Sequence, residues 1–259
     1  MTLNEYKDDF EFREKAGYVI GEVWYPRVTK ILEIKSKPAL YKYYGAAVSF
    51  EAAETKTKKS AEEGTLVHEI TEKIFLGESP EIPELIKPAI SAFVDFLEKK
   101  HVQTRPEFVE RRIINNNHRY AGTIDAMALV NGKFGVLDIK TSQAIYRDYN
   151  LQTAAYMDAL KDEFKNLETR WILRIDQIKT CARCGATLRP KGGEDKIRRA
   201  WPSNGQNCPQ EGHEWGELKG IVELKEFPYW KGDFEAFLGA KRLWEWENEY
   251  ILRKIGYLA

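Results

Sequence analysis

Hydrophobic positions along the chain recur with two different periods, and their order predicts a fold. Leu66, Val67, Ile70 and Ile74 follow Gly64 at helical spacing. Leu85, Ile86, Ala89, Ile90, Phe93, Val94 and Leu97 do the same over about 84–99, which predicts an amphipathic helix. The stretch before them, 28–63, reads as mainly helical, with Pro38 opening a helix. FVERRIIN (108–115) then reads as a strand. Two apolar runs flanking Asn131-Gly132, in GTIDAMALVNGKFGVLDIKTS (122–142), give the strongest short hairpin signal, a two-residue type I′ turn. DYNLQTAAYMDALKDEF (148–164) predicts a helix, and TRWILRID (169–176) and GIVELKEFP (220–228) predict strands. A last helix over about 233–255 carries Phe234, Phe237, Leu238, Trp244, Ile251 and Ile255 on one face. Residues 1–25 form an N-terminal extension that runs into a strand-like patch, YVIGEVWYP. The expected fold class is α/β, a central mixed sheet flanked by helices.

Between 177 and 218 the periodicity gives way to Cys, Gly, Pro and charge. This divides the chain into a first segment over 1–176, an inserted module over 177–218 and a returning core strand and helix over 219–259. With 259 residues the chain is long enough to bury a core without staples. Lys+Arg and Asp+Glu are equal at 40 each, so any basic surface has to be local. No apolar run approaches the 18 or so residues of a membrane span. The N-terminus, MTLNEYKDDFEF, lacks an apolar signal region, and the expected compartment is the cytoplasm.

The central hairpin carries the unexpected chemistry. A two-residue turn at Asn131-Gly132 pairs Val130 with Lys133 and, five pairs further on, Asp125 with Asp138. Their Cβ atoms are then about 5 Å apart. Lys140 lies two residues beyond Asp138 and shares its face. Facing like charges are destabilising without a cation between them, and a hard divalent ion such as Mg²⁺ or Mn²⁺ suits oxygen ligands at that separation. The lysine could then orient a water or stabilise developing negative charge. The plainer reading puts both aspartates at frayed strand ends, with Lys140 in an ordinary salt bridge.

The motifs around the hairpin resemble the PD-(D/E)XK nuclease superfamily, most nearly the RecB-type exonuclease branch with its mitochondrial, phage and archaeal members. YPRVTKIL (25–32) is similar to the P-S-V-T opening, with Arg27 in place of Ser. GTLVHEITE (64–72) is similar to the G-x-x-x-H-x-x-x-E helix and FVERRI (108–113) to the glutamate-bearing strand. AGTIDA, VLDIKTS and LQTAAYMDAL supply the rest in order. The resemblance implies a restriction-endonuclease-like fold and metal-dependent hydrolysis of DNA. It implies metal ligation by His68, Asp125, Asp138 and the backbone carbonyl of Ile139, with Lys140 as the catalytic lysine. Glu110 would stand behind these or bind a second ion, and Gln152 and Tyr156, at i and i+4, would position the phosphate or the lysine. Thr141 would lie on the nucleic-acid path. The expected cofactor is Mg²⁺ or Mn²⁺, and the expected partner is DNA, single-stranded or with free ends. Exonuclease action is expected ahead of structure-specific endonuclease action, and the rival from another class is a nuclease-like scaffold that only binds nucleic acid.

All three cysteines fall in the inserted module, in CARCG (181–185) and CPQEGH (208–213). Cys181, Cys184, Cys208 and His213 make a Cys₃His set of the kind that holds a structural Zn²⁺. An iron–sulfur cluster of the RecB type would need an upstream cysteine, which the chain lacks. The module is rich in Lys179, Arg183, Arg189, Lys191, Lys196, Arg198 and Arg199. It is therefore expected to grip a nucleic-acid backbone, chiefly through Arg198 and Arg199, with Trp201 as a stacking platform. The segment 38–63, with Lys56, Lys58 and Lys59 near Tyr41, Tyr43 and Tyr44, is expected to arch over a single strand.

Overall fold

Asn131 and Gly132 both take positive φ, 50° and 82°, as a type I′ turn requires. The hairpin they set lies at the centre of the sheet. The computed structural model describes residues 6–35, 41, 43–45, 47–200, 208–209 and 212–259. The expectations for Pro38 and Trp201 lie outside the described residues.

The strands are β1 (Gly17–Ile20), β2 (Val23–Pro26), β3 (Val109–Asn115), β4 (Tyr120–Val130), β5 (Lys133–Lys140), β6 (Thr169–Thr180), β7 (Thr187–Lys191), β8 (Glu194–Arg198) and β9 (Lys219–Glu226). The described helices are α1 (Asp9–Ala16), α2 (Val28–Leu32), α3 (Phe50–Phe75), α4 (Lys87–Lys99), α5 (Tyr149–Leu160), α6 (Lys231–Glu247) and α7 (Glu249–Lys254). β3, β4 and β5 form an antiparallel meander. α5 then carries the chain over to β6, which lies parallel to β5, and β9 returns antiparallel on the far side of β6. The result is a mixed sheet with helices on both faces. Among the described residues no helix is long and apolar enough to cross a membrane.

Each face has its own apolar layer. Ile113, Tyr120, Ile124, Met127 and Val136 pack beneath α1, α2, α5 and α6 with Phe12, Trp24, Ile31, Phe237 and Trp244. Ala126, Ala128, Val130, Leu137, Ile139 and Leu173 pack beneath α3 and α4 with Val67, Ile70, Ile90 and Phe93. Ile124 and Ala126 are two residues apart yet belong to opposite layers. The alternation of β4 therefore changes phase at Asp125.

Four expectations change. Gly64 does not precede a helix; α3 runs straight through it for 26 residues, capped by Ser49, whose hydroxyl accepts from Ala52 N–H at 3.1 Å. Leu85 is exposed, because α4 begins at Lys87 with Pro88 in its first turn. The last helix is two helices that meet at Asn248, whose side chain donates back to the Trp244 carbonyl. The patch at 18–26 is a hairpin of its own, β1–β2, turning at Gly21 with φ 61°.

One buried cation locks β6, α5 and α6 together. Arg170 is fully buried; it donates to the carbonyls of Asn150, Phe227 and Tyr229 and pairs with Asp233. Its charge is neutralised and its donors are engaged, so removing it takes the ion-pair partner from Asp233 and one donor from each of three carbonyls. Arg170→Ala is expected to lower unfolding free energy by about 3–5 kcal/mol, measured by urea denaturation. A loss near that of an exposed arginine would contradict this role.

Candidate active site and metal centre

The β4–β5 ladder keeps the expected register from Val130↔Lys133 to Ala126↔Leu137 and stops one pair before Asp125 and Asp138. Instead of pairing as strand residues, Asp125 accepts a hydrogen bond from the Ile139 N–H through Oδ2 at 2.5 Å. On the other side, Val109↔Ala126 and Arg111↔Ile124 bracket Glu110, which stands opposite Asp125 with φ 46°. A non-glycine residue held in the left-handed region costs about 1–3 kcal/mol and concentrates at functional sites. The phase change in β4 and the strained residue in β3 coincide. Together they let one carboxylate reach helix α3 on one face while staying beside Asp138.

α3 and α5 close on this point from opposite sides. His68, half-buried on α3, brings Nδ1 to 3.8 Å from Asp125 Oδ1. Burial and the Lys140 charge hold its pKa below the usual imidazole range, which keeps the ring neutral and its nitrogen available as an acceptor or ligand. Asp138 is buried, with Lys140 Nζ at 2.6 Å from Oδ2 and Gln152 Nε2 donating to Oδ1 at 3.1 Å. The Gln152 amide also donates to the Tyr156 hydroxyl at 2.9 Å, so the i, i+4 pair on α5 acts as one unit. Lys140 Nζ sits 5.2 Å from the Tyr149 ring centre, a contact that no local sequence signal announced.

Electrostatics mark the cluster as costly. Burial raises the Asp125 carboxyl, against the pull of Lys140 and the Ile139 N–H. Burial and the Asp125 charge push Asp138 up to about 6, against Lys140. Burial works to lower Lys140, but Asp138 and Asp125 outweigh it and hold the ammonium above its ordinary value. Glu110 is exposed as a residue, yet desolvation of its carboxyl and the charges of Asp125 and Glu72 raise it to about 7. Glu72 thus joins the site from α3, one turn after His68.

Asp138 Oδ2 is already paired with the Lys140 ammonium at 2.6 Å. The oxygens of Asp125, Asp138 and Glu110 and the His68 ring do not converge on one point as a ligand set does. Among the described residues the one converging set of three or more metal-binding side chains is in the module.

There the ligand atoms of Cys181, Cys184, Cys208 and His213 all lie within 4.8 Å of one another. A Zn–S bond of about 2.3 Å gives tetrahedral edges of roughly 3.8 Å, so the set can hold zinc. The knuckle is built by the backbone: Gly185, at φ 70°, donates its N–H to the Cys181 carbonyl at 3.0 Å. Burial opposes ionisation of Cys181, but the Cys184 N–H and His213 outweigh it and bring the thiol down to about 6. Cys184 Sγ lies 3.4 Å from His213 Nδ1, and the His213 ring stacks on Trp215 at 4.5 Å. His213, the loosest of the four by spacing, is therefore held in place from two sides.

The basic residues of the module divide. Arg189 is buried, its Nε donating to both carboxylate oxygens of Asp176 at 2.7 Å, Arg183 pairs with Glu214, and Lys191 donates to the Thr141 carbonyl. These are structural contacts that the sequence did not distinguish from a solvent-facing patch. Lys196, Arg198 and Arg199 are exposed, with Arg198 donating to Gln143 at 2.5 Å. Thr141 presses its hydroxyl against α3, where a Cβ at Gly64 would stand 2.8 Å from it. In the expected arch, Tyr43 and Tyr44 meet edge to face, Tyr44 stacks on Phe50, and Lys56 pairs with Glu194. No protein-family model matches the chain, and no curated protein matches it.

Two outcomes follow from this chemistry. A raised carboxyl binds protons in the folded state between pH 4.5 and about 7 that the unfolded chain has released, so stability falls as pH climbs through that window. Glu110→Gln is expected to flatten the dependence of Tm on pH across it and to raise Tm above pH 7; an unchanged slope would remove Glu110 from the cluster. For the module, elemental analysis of purified protein is expected to find about one zinc per chain, lost in Cys184→Ser. Equal zinc in both proteins would place it elsewhere.

Proposed function

We propose that the protein is a metal-dependent deoxyribonuclease of restriction-endonuclease-like fold, acting as an exonuclease on DNA with single-stranded character or free ends. One observation carries this reading: Asp125, Asp138, Lys140 and His68 gather just beyond the last pair of the β4–β5 ladder, with Gln152 and Tyr156 behind them. Resemblance of the motifs to PD-(D/E)XK nucleases of the RecB type supports the choice of substrate.

Asp125, Asp138 and the Ile139 carbonyl are the groups that would hold Mg²⁺ or Mn²⁺, with His68 beside them. When bound, such an ion lowers the pKa of a water and neutralises charge on a phosphoryl oxygen. Lys140 is charged, since its pKa is raised, and it can donate to the non-bridging oxygens as they gain charge in the transition state. The same ammonium can orient a water for attack in line with the leaving oxygen. Gln152 holds Asp138 through Oδ1, leaving Oδ2 toward Lys140, and Tyr156 holds Gln152. Glu110, with its pKa near 7, can take up or release a proton at working pH.

Labelled single- and double-stranded DNA incubated with Mg²⁺ or Mn²⁺ tests the reading. Wild-type protein is expected to degrade DNA, and Asp138→Asn or Lys140→Met to lower the rate by about 10²-fold or more. Equal degradation by all three would assign the activity to a contaminant, and no degradation of any substrate by wild type would end the proposal.

A further inference from the structure

The hairpin carried by the Cys/His module folds back on to the candidate active site. β7 and β8 turn at Gly192-Gly193, both at positive φ, 66° and 77°. At the tip, the Gly192 N–H donates to a Glu63 carboxylate oxygen at 2.8 Å. The approach to α3 is close: a Cβ on Gly192 would stand 2.9 Å from the Lys56 carbonyl oxygen. Lys56 then reaches across to Glu194. Along β7, Arg189 Nη2 and Lys191 Nζ each donate at 2.6 Å to a single acceptor, the carbonyl of Thr141.

Thr141 is the residue after Lys140. Both lone pairs of its carbonyl are thus taken by charged donors, which fixes the backbone where the catalytic lysine leaves β5. Gly64 of α3 lies at the same point, one turn before His68; a Cβ there would be 2.8 Å from Thr141 Oγ1 and 3.9 Å from Lys191 Nζ. The helix that carries His68, the strand that carries Lys140 and the module's hairpin meet in one junction. Asp176 anchors Arg189 from β6. Burial, with Arg189 adding to it, brings the Lys191 ammonium down to about 8, as expected of two cations crowded on one oxygen.

We propose that Arg189 and Lys191 are positioning residues for Lys140, and that metal bound by Cys181, Cys184, Cys208 and His213 sets the competence of the site by ordering the hairpin that carries them. The inference rests on the nuclease reading for its catalytic consequence and on the junction alone for its structural one. The module then acts as a clasp between α3 and β5, in addition to offering Arg198 and Arg199 to a ligand.

The test compares zinc-loaded wild type, Lys191→Met and Lys191→Arg. It reads amide hydrogen exchange over residues 139–143 and steady-state cleavage of a labelled single-stranded oligonucleotide with Mg²⁺. Lys191→Met is expected to speed exchange there and to lower kcat by about tenfold, the loss of one charge-assisted hydrogen bond, with KM nearly unchanged. Lys191→Arg restores both, and chelating zinc from wild type reproduces the faster exchange. A rise in KM alone would make Lys191 a substrate contact and overturn the proposal, as would unchanged exchange and kcat in Lys191→Met. Unchanged exchange at 139–143 after zinc removal would overturn the role given to the metal. If wild type cleaves nothing, the nuclease reading falls, and the exchange measurement alone decides whether the clasp exists.

Discussion

Two carboxylates held side by side where the central hairpin's ladder ends, Asp138 fully buried and Asp125 largely so, are the constraint around which the rest is arranged. A buried charge costs several kcal/mol unless it is paired or ligates a cation. The fold compensates Asp125 with a backbone N–H and Asp138 with an ammonium and an amide. None of these partners is sequence-adjacent to both aspartates. α5 has to pack where Gln152 reaches Asp138, and α3 has to cross where His68 reaches Asp125. The phase change of β4 at Asp125, matched by the left-handed backbone of Glu110, gives that carboxylate access to both sides of the sheet.

Such a cluster does not stabilise the protein. Burial of ion pairs rarely repays desolvation, and all three carboxyls have pKa values raised by the surroundings they share. The stability comes from elsewhere: two continuous apolar layers and the stack of Phe12 on Trp244. The scaffold thereby tolerates a strained, charge-crowded point at the end of its central hairpin. This separation of a stable frame from a costly site is what binding and catalysis at buried charges call for.

Much of this was legible in the sequence because it depends on local rules. Asn131-Gly132 sets the register, and helical spacing locates the buried faces of α3 and α4. The order of elements implies a mixed sheet, and C-x₂-C with one more Cys and a His identifies the converging set in the module. What was not legible depends on distant partners. Nothing near Gly64 says that Thr141 will press against it and make a helix-weakening residue necessary in mid-helix. Nothing near Arg189 says that Asp176 will bury it, and a run of seven basic residues reads alike whether it faces solvent or a carbonyl. The β7–β8 hairpin did leave a trace, Gly192-Gly193 between two short alternating runs, but charge along both strands hid it. Glu110 carries no local mark of its left-handed backbone, because the strain is imposed by the strands on either side.

The claim at the centre is that Asp125 and Asp138 form a divalent-cation site with Lys140 as its neighbouring charge. Calorimetric titration of Mn²⁺ into zinc-loaded protein addresses it without reference to any substrate. Wild type is expected to bind Mn²⁺ and to gain thermal stability from it, and Asp138→Asn to lose both responses while keeping its zinc. Mn²⁺ binding of equal strength in the two proteins, or none in wild type, would contradict the account.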